Sequence, residues 1–155
     1  MTKEQKKERY DRIFQQLETL FKKTADPIAR MSTAAAVLHH KFSYYFWTGF
    51  YLLKHGELIV AAYQGPVACL VLERNKGVCW AGIKEKKTII VPDVHKFPGH
   101  LSCDDRSRSE IVVPLFYGNE VMGIMDIDSK SFNSFDEIDQ AGLEKIVKLI
   151  FKEET

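Results

Sequence analysis

No stretch of the 155-residue chain is long and apolar enough to cross a bilayer. Its longest apolar runs, such as Thr88 to Val91 and Ile111 to Tyr117, fall far short of the roughly 20 residues a spanning helix needs. The N-terminus is rich in Lys and Glu and lacks the apolar core of a signal peptide. A soluble, cytoplasmic protein with no membrane partner is therefore expected. An excess of one charge is also missing. Against 22 basic residues stand 21 acidic ones, for a net charge of +1, so nothing calls for nucleic acid as a partner. There is no Gly-rich phosphate loop, internal repeat, low-complexity tract or linker. No Ser-His-Asp set is visible along the chain, although such sets need not be local in sequence. Cysteine is scarce: Cys69, Cys79 and Cys103 are the three present, at spacings of ten and twenty-four. The odd count argues against a framework of structural disulfides. The lack of a Cys-x-x-Cys pair argues against a zinc module built from these cysteines with His95 or His100. Inert buried thiols and redox-active groups both stay open.

The length suits one domain, and a hydrophobic content of 45% is enough for one real core. Tyr10, Ile13, Phe14, Leu17, Leu20 and Phe21 recur at three- and four-residue steps, which predicts a helix over 3–24. It is either a packing helix or a dimer contact. Asp26-Pro27 reads as an N-cap followed by a first-turn proline, starting a second helix that runs to about His40. The aromatic, β-prone run from Phe42 to Leu53 predicts a strand, turned at Lys54-His55-Gly56-Glu57 into a return strand from Leu58 to Tyr63. Alternation puts Trp47, Gly49 and Tyr51 on one face. That face is either the wall of a pocket or an ordinary sheet face under a helix. Near the C-terminus, Glu110 to Tyr117 and Val121 to Asp128 flank Gly118-Asn119 as a hairpin. Ser134-Phe135-Asp136-Glu137 reads as a capping box for a last helix through about Glu153. The layout is thus N-terminal helices over about 3–40, a sheet with its loops over about 42–128, and a C-terminal helix over about 135–153. Helices at both ends and antiparallel strands between them predict an α+β domain.

Reactive side chains concentrate between Gly65 and Glu110. Gly77-Val78-Cys79 opens a predicted helix through Lys86, where the helix dipole would favour a Cys79 thiolate. Residues 93–109 form a long loop anchored by Val94, Phe97 and Leu101. It carries Cys103 with His100, Arg106 and Arg108 near in sequence, and cationic neighbours lower a thiol pKa. On the following hairpin Met122, Ile124, Asp126 and Asp128 share one face. If the two carboxylates are enclosed, they repel one another and one holds its proton more tightly. Such a carboxyl can donate to a substrate oxygen while its neighbour binds an ammonium. The other reading leaves both at an exposed strand end.

Several blocks in this region agree in order and distance with one family: Gly65-Pro66-Val67-Ala68-Cys69, Gly77-Val78-Cys79, Val91-Pro92-Asp93-Val94, Phe97-Pro98-Gly99-His100-Leu101-Ser102-Cys103-Asp104, and Ser109-Glu110-Ile111-Val112-Val113-Pro114. Together they resemble the free methionine-(R)-sulfoxide reductases, small enzymes built on a GAF domain, over residues 45 to 150. One departure stands out, because Trp80 follows Cys79 where the family has a small residue, usually Gly. The resemblance implies a single GAF domain over 1–155, with a central antiparallel sheet, terminal helices packed on one face and a small-molecule pocket on the other. It implies Cys103 as the nucleophile toward free methionine-(R)-sulfoxide, Cys69 as the resolving thiol and Cys79 as an alternative relay. Asp126 or Asp128 would supply the proton. Glu110, with Asp126 and Asp128, would bind the substrate ammonium, Trp47 the S-methyl end, and Tyr51 would line the pocket. It further implies thioredoxin or a similar dithiol as reductant, a homodimer, and no metal, flavin or nucleotide cofactor. The alternative on the same fold is a non-catalytic, small-molecule-binding sensor module.

Overall fold

The computed structural model describes residues 1–100 and 103–153. Helix α1 (Lys3–Leu20) is held at its start by reciprocal hydrogen bonds between Thr2 and Gln5, and a 3-10 turn over Phe21–Lys23 ends it. Helix α2 (Pro27–Lys41) starts as the sequence predicts: Asp26 accepts from the Ala29 N–H, with Pro27 in the first turn. The strands are β1 (Trp47–Lys54), β2 (Glu57–Gln64), β3 (Val71–Leu72), β4 (Ile89–Val91), β5 (Ser109–Tyr117) and β6 (Glu120–Ser129). Helix α3 (Gly77–Glu85) lies between β3 and β4, and α4 (Glu137–Val147) follows β6. The strands form one antiparallel sheet in the order β3-β2-β1-β6-β5-β4. This is the expected α+β layout.

Period-two alternation divides the sheet between two cores. Phe50, Ile111, Val113, Leu115, Met125 and Ile127 face α1, α2 and α4, where they meet Tyr10, Ile13, Leu17, Met31, Leu38, Leu143 and Ile146. The neighbouring strand residues point the other way, toward a second cluster with Val78 and Cys79 of α3. The apolar stripe of α1 is thus spent inside the protein. A dimer contact through α1 would have to use its other face.

Three further boundaries differ from the sequence reading, each where tertiary contacts intervene. Phe42–Phe46 precede β1 rather than joining it. Phe42, Tyr44 and Tyr45 pack their rings among Tyr10 and Phe135 on the helical side. The capping box of α4 is Asp136 with Asp139 rather than Ser134 with Glu137. Asp139 is drawn there because its buried carboxylate also accepts from Lys6 Nζ (2.7 Å), Tyr10 Oη (2.6 Å) and Tyr44 Oη (2.6 Å). Finally, α4 stops at Val147 and the chain continues in turns. Buried Arg30 takes up the backbone there. Its Nη1 donates to the carbonyls of Leu149 (2.8 Å) and Lys152 (2.6 Å), and its Nη2 to that of Phe21 (2.8 Å).

Replacing Arg30 by Met strands these buried carbonyls without changing the apolar stem. We expect a loss of about 3 kcal/mol in urea unfolding. A loss below about 0.5 kcal/mol would mean that water satisfies the carbonyls equally well.

Candidate active site

On the face away from the terminal helices, register builds a row of side chains across four strands. Trp47 of β1 pairs with Asp128 of β6, Asp128 with Glu110 of β5, and Glu110 with Val91 of β4. One row further, Gly49 pairs with Asp126 and Asp126 with Val112. A single sheet face therefore brings Trp47, Tyr51, Glu110, Asp126 and Asp128 to one cavity, also lined by Cys79 and Cys103. The notch at Gly49 is filled by the chain itself. A Cβ there would overlap the Trp47 indole and Tyr63, so the glycine lets Trp47 lie back against the sheet, stacked with Tyr51 and Tyr63.

The two aromatic heads reach beyond the cavity. Trp47 Nε1 donates to the Pro66 carbonyl (3.1 Å) and Tyr51 Oη to the Cys69 carbonyl (3.0 Å). They hold the segment that carries Cys69. Cys69 is bonded to Cys103 in a disulfide, with Cα atoms 5.6 Å apart. Cys103 is exposed, whereas Cys79 is a buried free thiol. Two of the sulfurs weighed for a zinc module, Cys69 and Cys103, are thus joined to each other. Leu101, an expected anchor of this loop, lies outside the described residues together with Ser102.

Two expectations about thiol environment are corrected. Helix α3 does begin at Gly77, so Cys79 sits in its first turn. Burial nevertheless pushes the Cys79 thiol well above its ordinary value, and the carboxylates of Asp126, Glu110 and Asp128 add to the rise. Burial, with the neighbouring acids adding to it, outweighs the helix dipole. The arginines expected beside Cys103 are also engaged elsewhere. Arg106 grips Asp104 through Nε (2.9 Å) and Nη2 (2.6 Å), and its guanidinium lies 4.8 Å from the Phe46 ring centre. Arg108 covers Phe132. Trp80, the departure from the family pattern, packs beside the α3 cluster rather than lining the cavity.

The three carboxyl groups govern the electrostatics. Glu110 is 5% exposed, Asp126 6%, and Asp128 is half-buried, so the reading that left Asp126 and Asp128 at an exposed strand end does not hold. Burial, then the charges of Asp126 and Asp128, raise Glu110 well above the carboxylate range. Burial and Asp126 raise Asp128 likewise. Asp126 is also raised by burial, but Glu110 and Cys79, as hydrogen-bonding neighbours, restrain the rise. Asp126 Oδ1 has no hydrogen-bond partner among the described residues. His100 stands over this group, its Nε2 3.8 Å from Glu110 Oε1. Burial, then His95, lowers its pKa and favours the neutral ring.

Sequence reading missed Lys76, Asp104 and Ser107, which also line the cavity. Lys76 carried a signal in its place just before the glycine that opens α3. Asp104 and Ser107 carried none beyond closeness to Cys103. Among the described residues, one group could hold a metal ion: Cys79, Glu110 and Asp126, with donor atoms within 4.8 Å of one another.

A domain with this sheet, flanked by helices on one face and pocketed on the other, belongs to a known class. Residues 16–150 match the GAF domain family. GAF domain-containing protein A of Dictyostelium discoideum is 42% identical, covering 97% of this chain and 95% of the relative. The free methionine-R-sulfoxide reductase of Saccharomyces cerevisiae is 39% identical over 81% of this chain and 74% of its own. The structure of free methionine-R-sulfoxide reductase from Neisseria meningitidis in complex with its substrate superposes with a TM-score of 0.87 at 38% identity, covering 92% of this chain and 86% of that one. The chain belongs to the free methionine-R-sulfoxide reductase family of GAF domains.

The raised carboxyls carry a stability signature. The folded state keeps protons that the unfolded chain releases in the ordinary carboxylate range. Their stabilising contribution is complete below that range and is lost as pH rises through the folded-state values. Glu110→Gln should flatten the decline in melting temperature of the substrate-free protein between about pH 4 and about pH 8. Equal slopes for variant and parent would show that Glu110 titrates as an ordinary carboxyl.

Proposed function

We propose that the protein reduces free L-methionine-(R)-sulfoxide to methionine by cysteine chemistry. The observation that carries this reading is a disulfide, Cys69–Cys103, at the same cavity as the buried carboxyls of Glu110 and Asp126 and the half-buried Asp128. One set of groups handles electrons and the other recognises an amino acid.

In the reduced protein the Cys103 thiolate attacks the sulfoxide sulfur. A protonated carboxyl, Asp126 or Asp128, both raised by burial, gives its proton to the sulfoxide oxygen. The protonated oxygen passes from the substrate sulfur to Cys103 as the transient sulfur–sulfur bond breaks, so methionine leaves as the sulfide and Cys103 is left as a sulfenic acid. The Cys69 thiol then attacks Cys103, water is released and the disulfide forms. Two electrons have passed from the two thiols to the substrate. An external dithiol of the thioredoxin type restores both thiols by exchange, and exposure of Cys103 gives it access. Cys79 lines the cavity as a third thiol and serves as the alternative relay if Cys69 is absent.

Glu110, Asp126 and Asp128 would together receive the substrate ammonium, with the unpartnered Oδ1 of Asp126 as an immediate acceptor. The Trp47 indole would meet the S-methyl end and Tyr51 would form the wall beside it. A methionine sulfoxide within a peptide has no free ammonium and leaves those carboxyls unpaired in a dry site. That mismatch supplies strong discrimination for the free amino acid. The protein would work in a reducing compartment such as the cytoplasm, as a homodimer.

The test is methionine release from each epimer of free methionine sulfoxide with dithiothreitol present. Release from the R epimer alone supports the reading. Cys103→Ser should abolish release even in a single turnover, while Cys69→Ser should still deliver one equivalent. No release from either epimer, with the thiols confirmed reduced, would favour a binding module. Single-turnover release by Cys103→Ser would move the nucleophile elsewhere.

A further inference from the structure

Cys79 takes no part in the disulfide, yet it is placed with some care. It sits in the first turn of α3, 6% exposed. Its Sγ, one oxygen of Glu110 and one oxygen of Asp126 lie within 4.8 Å of one another. These donors come from α3, β5 and β6. The strands are locked in register where Val112 faces Asp126. The helix is pressed close at Gly82, where a Cβ would come within 2.8 Å of Val112 Cγ1. Neither backbone can drift without breaking a packed contact. Asp126 Oδ1, in a residue 94% shielded from solvent by its 6% exposure, has no partner among the described residues.

An ammonium ion accounts for only part of this arrangement. It gains from two carboxylates, but a neutral thiol gives it little, since sulfur is a weak acceptor. A thiophilic divalent cation uses all three groups, because it binds the thiolate and carboxylate oxygens together. Zinc bonds of about 2.3 Å to sulfur and about 2.0–2.2 Å to oxygen require the donors to close in by small side-chain rotations from their present spacing. Three protein ligands leave one tetrahedral position for water, or for His100, which already stands 3.8 Å from Glu110. Magnesium and calcium, which select all-oxygen shells, are not suited to the sulfur.

We infer that Cys79, Glu110 and Asp126 form a binding site for a zinc-class divalent cation. It coincides with the position assigned above to the substrate ammonium, so the ion would also compete with substrate. That consequence alone rests on the proposed function.

The test needs no turnover. Protein with the Cys69–Cys103 disulfide intact retains Cys79 as its single thiol, so any cobalt–thiolate signal reports this site. Titration of metal-free oxidised protein with Co2+ should give a thiolate-to-cobalt charge-transfer band that saturates at one equivalent and disappears on adding Zn2+. Cys79→Ser should remove the band, and Glu110→Gln should weaken Zn2+ binding at least tenfold, with circular dichroism confirming that both variants fold. Absence of the band in the parent protein would overturn the inference. So would one-equivalent Zn2+ binding that survives Cys79→Ser unchanged, which would place the ion on surface histidines. If the cobalt band appears and methionine release does not, the metal site stands and the enzymatic reading falls.

Discussion

The rest of the structure depends on one constraint, the desolvation of three carboxyl groups on a single sheet face. Antiparallel register makes them neighbours, since Asp128 lies directly across from Glu110, and Asp126 is one side-chain step along the same strand. Burying ionised carboxylates without cations costs several kcal/mol each. The basic ring beside Glu110, His100 at 3.8 Å, favours its neutral form, and the groups respond by holding protons. Burial that elsewhere stabilises the fold is here offset by electrostatic cost, and the apolar layer between sheet and terminal helices compensates. On the proposed function, a site in this state would attract the substrate ammonium and give up a proton to the sulfoxide oxygen.

The opposite side of the same sheet shows what a satisfied buried carboxylate looks like. Asp139 is fully buried but accepts from Lys6, Tyr10 and Tyr44 and caps its own helix. Every bond it makes is internal, and it ties α1, α4 and the segment before β1 together. Asp126 differs in having an oxygen with no internal partner. Networks that close on themselves specify structure, and those left open are where a ligand completes the bonding.

In the proposed reaction, recognition and electron transfer fall to different kinds of backbone. Carboxyls and aromatic walls stand on strands, fixed in register by the ladder. The bonded cysteines lie on connecting segments, which can move during exchange. Trp47 and Tyr51 join the two parts, with rings against the sheet and polar heads on the carbonyls of Pro66 and Cys69.

Much of this was legible in the chain, because periodicity and local chemistry record which side of an element is buried. The stripe of α1, the Asp26-Pro27 start of α2, the two hairpins and the common face of Asp126 and Asp128 all follow from local rules. The motif blocks between Gly65 and Pro114 pointed to the family. Where several elements compete for one side chain, local rules gave out. Phe42–Tyr45 are β-prone, yet their rings are drawn into the helical layer. Asp139 replaced Glu137 in the capping box because distant Lys6 and Tyr10 needed its carboxylate. The same limit hid the state of Cys79, whose position in a helix is local information, whereas its burial beside three acids is not. Sequence by itself determined the elements and the reactive groups, which depend on near neighbours. The partnership of Cys69 with Cys103 came from the family resemblance, and only the tertiary structure decided which acids lost their water, because desolvation belongs to residues far apart in the chain.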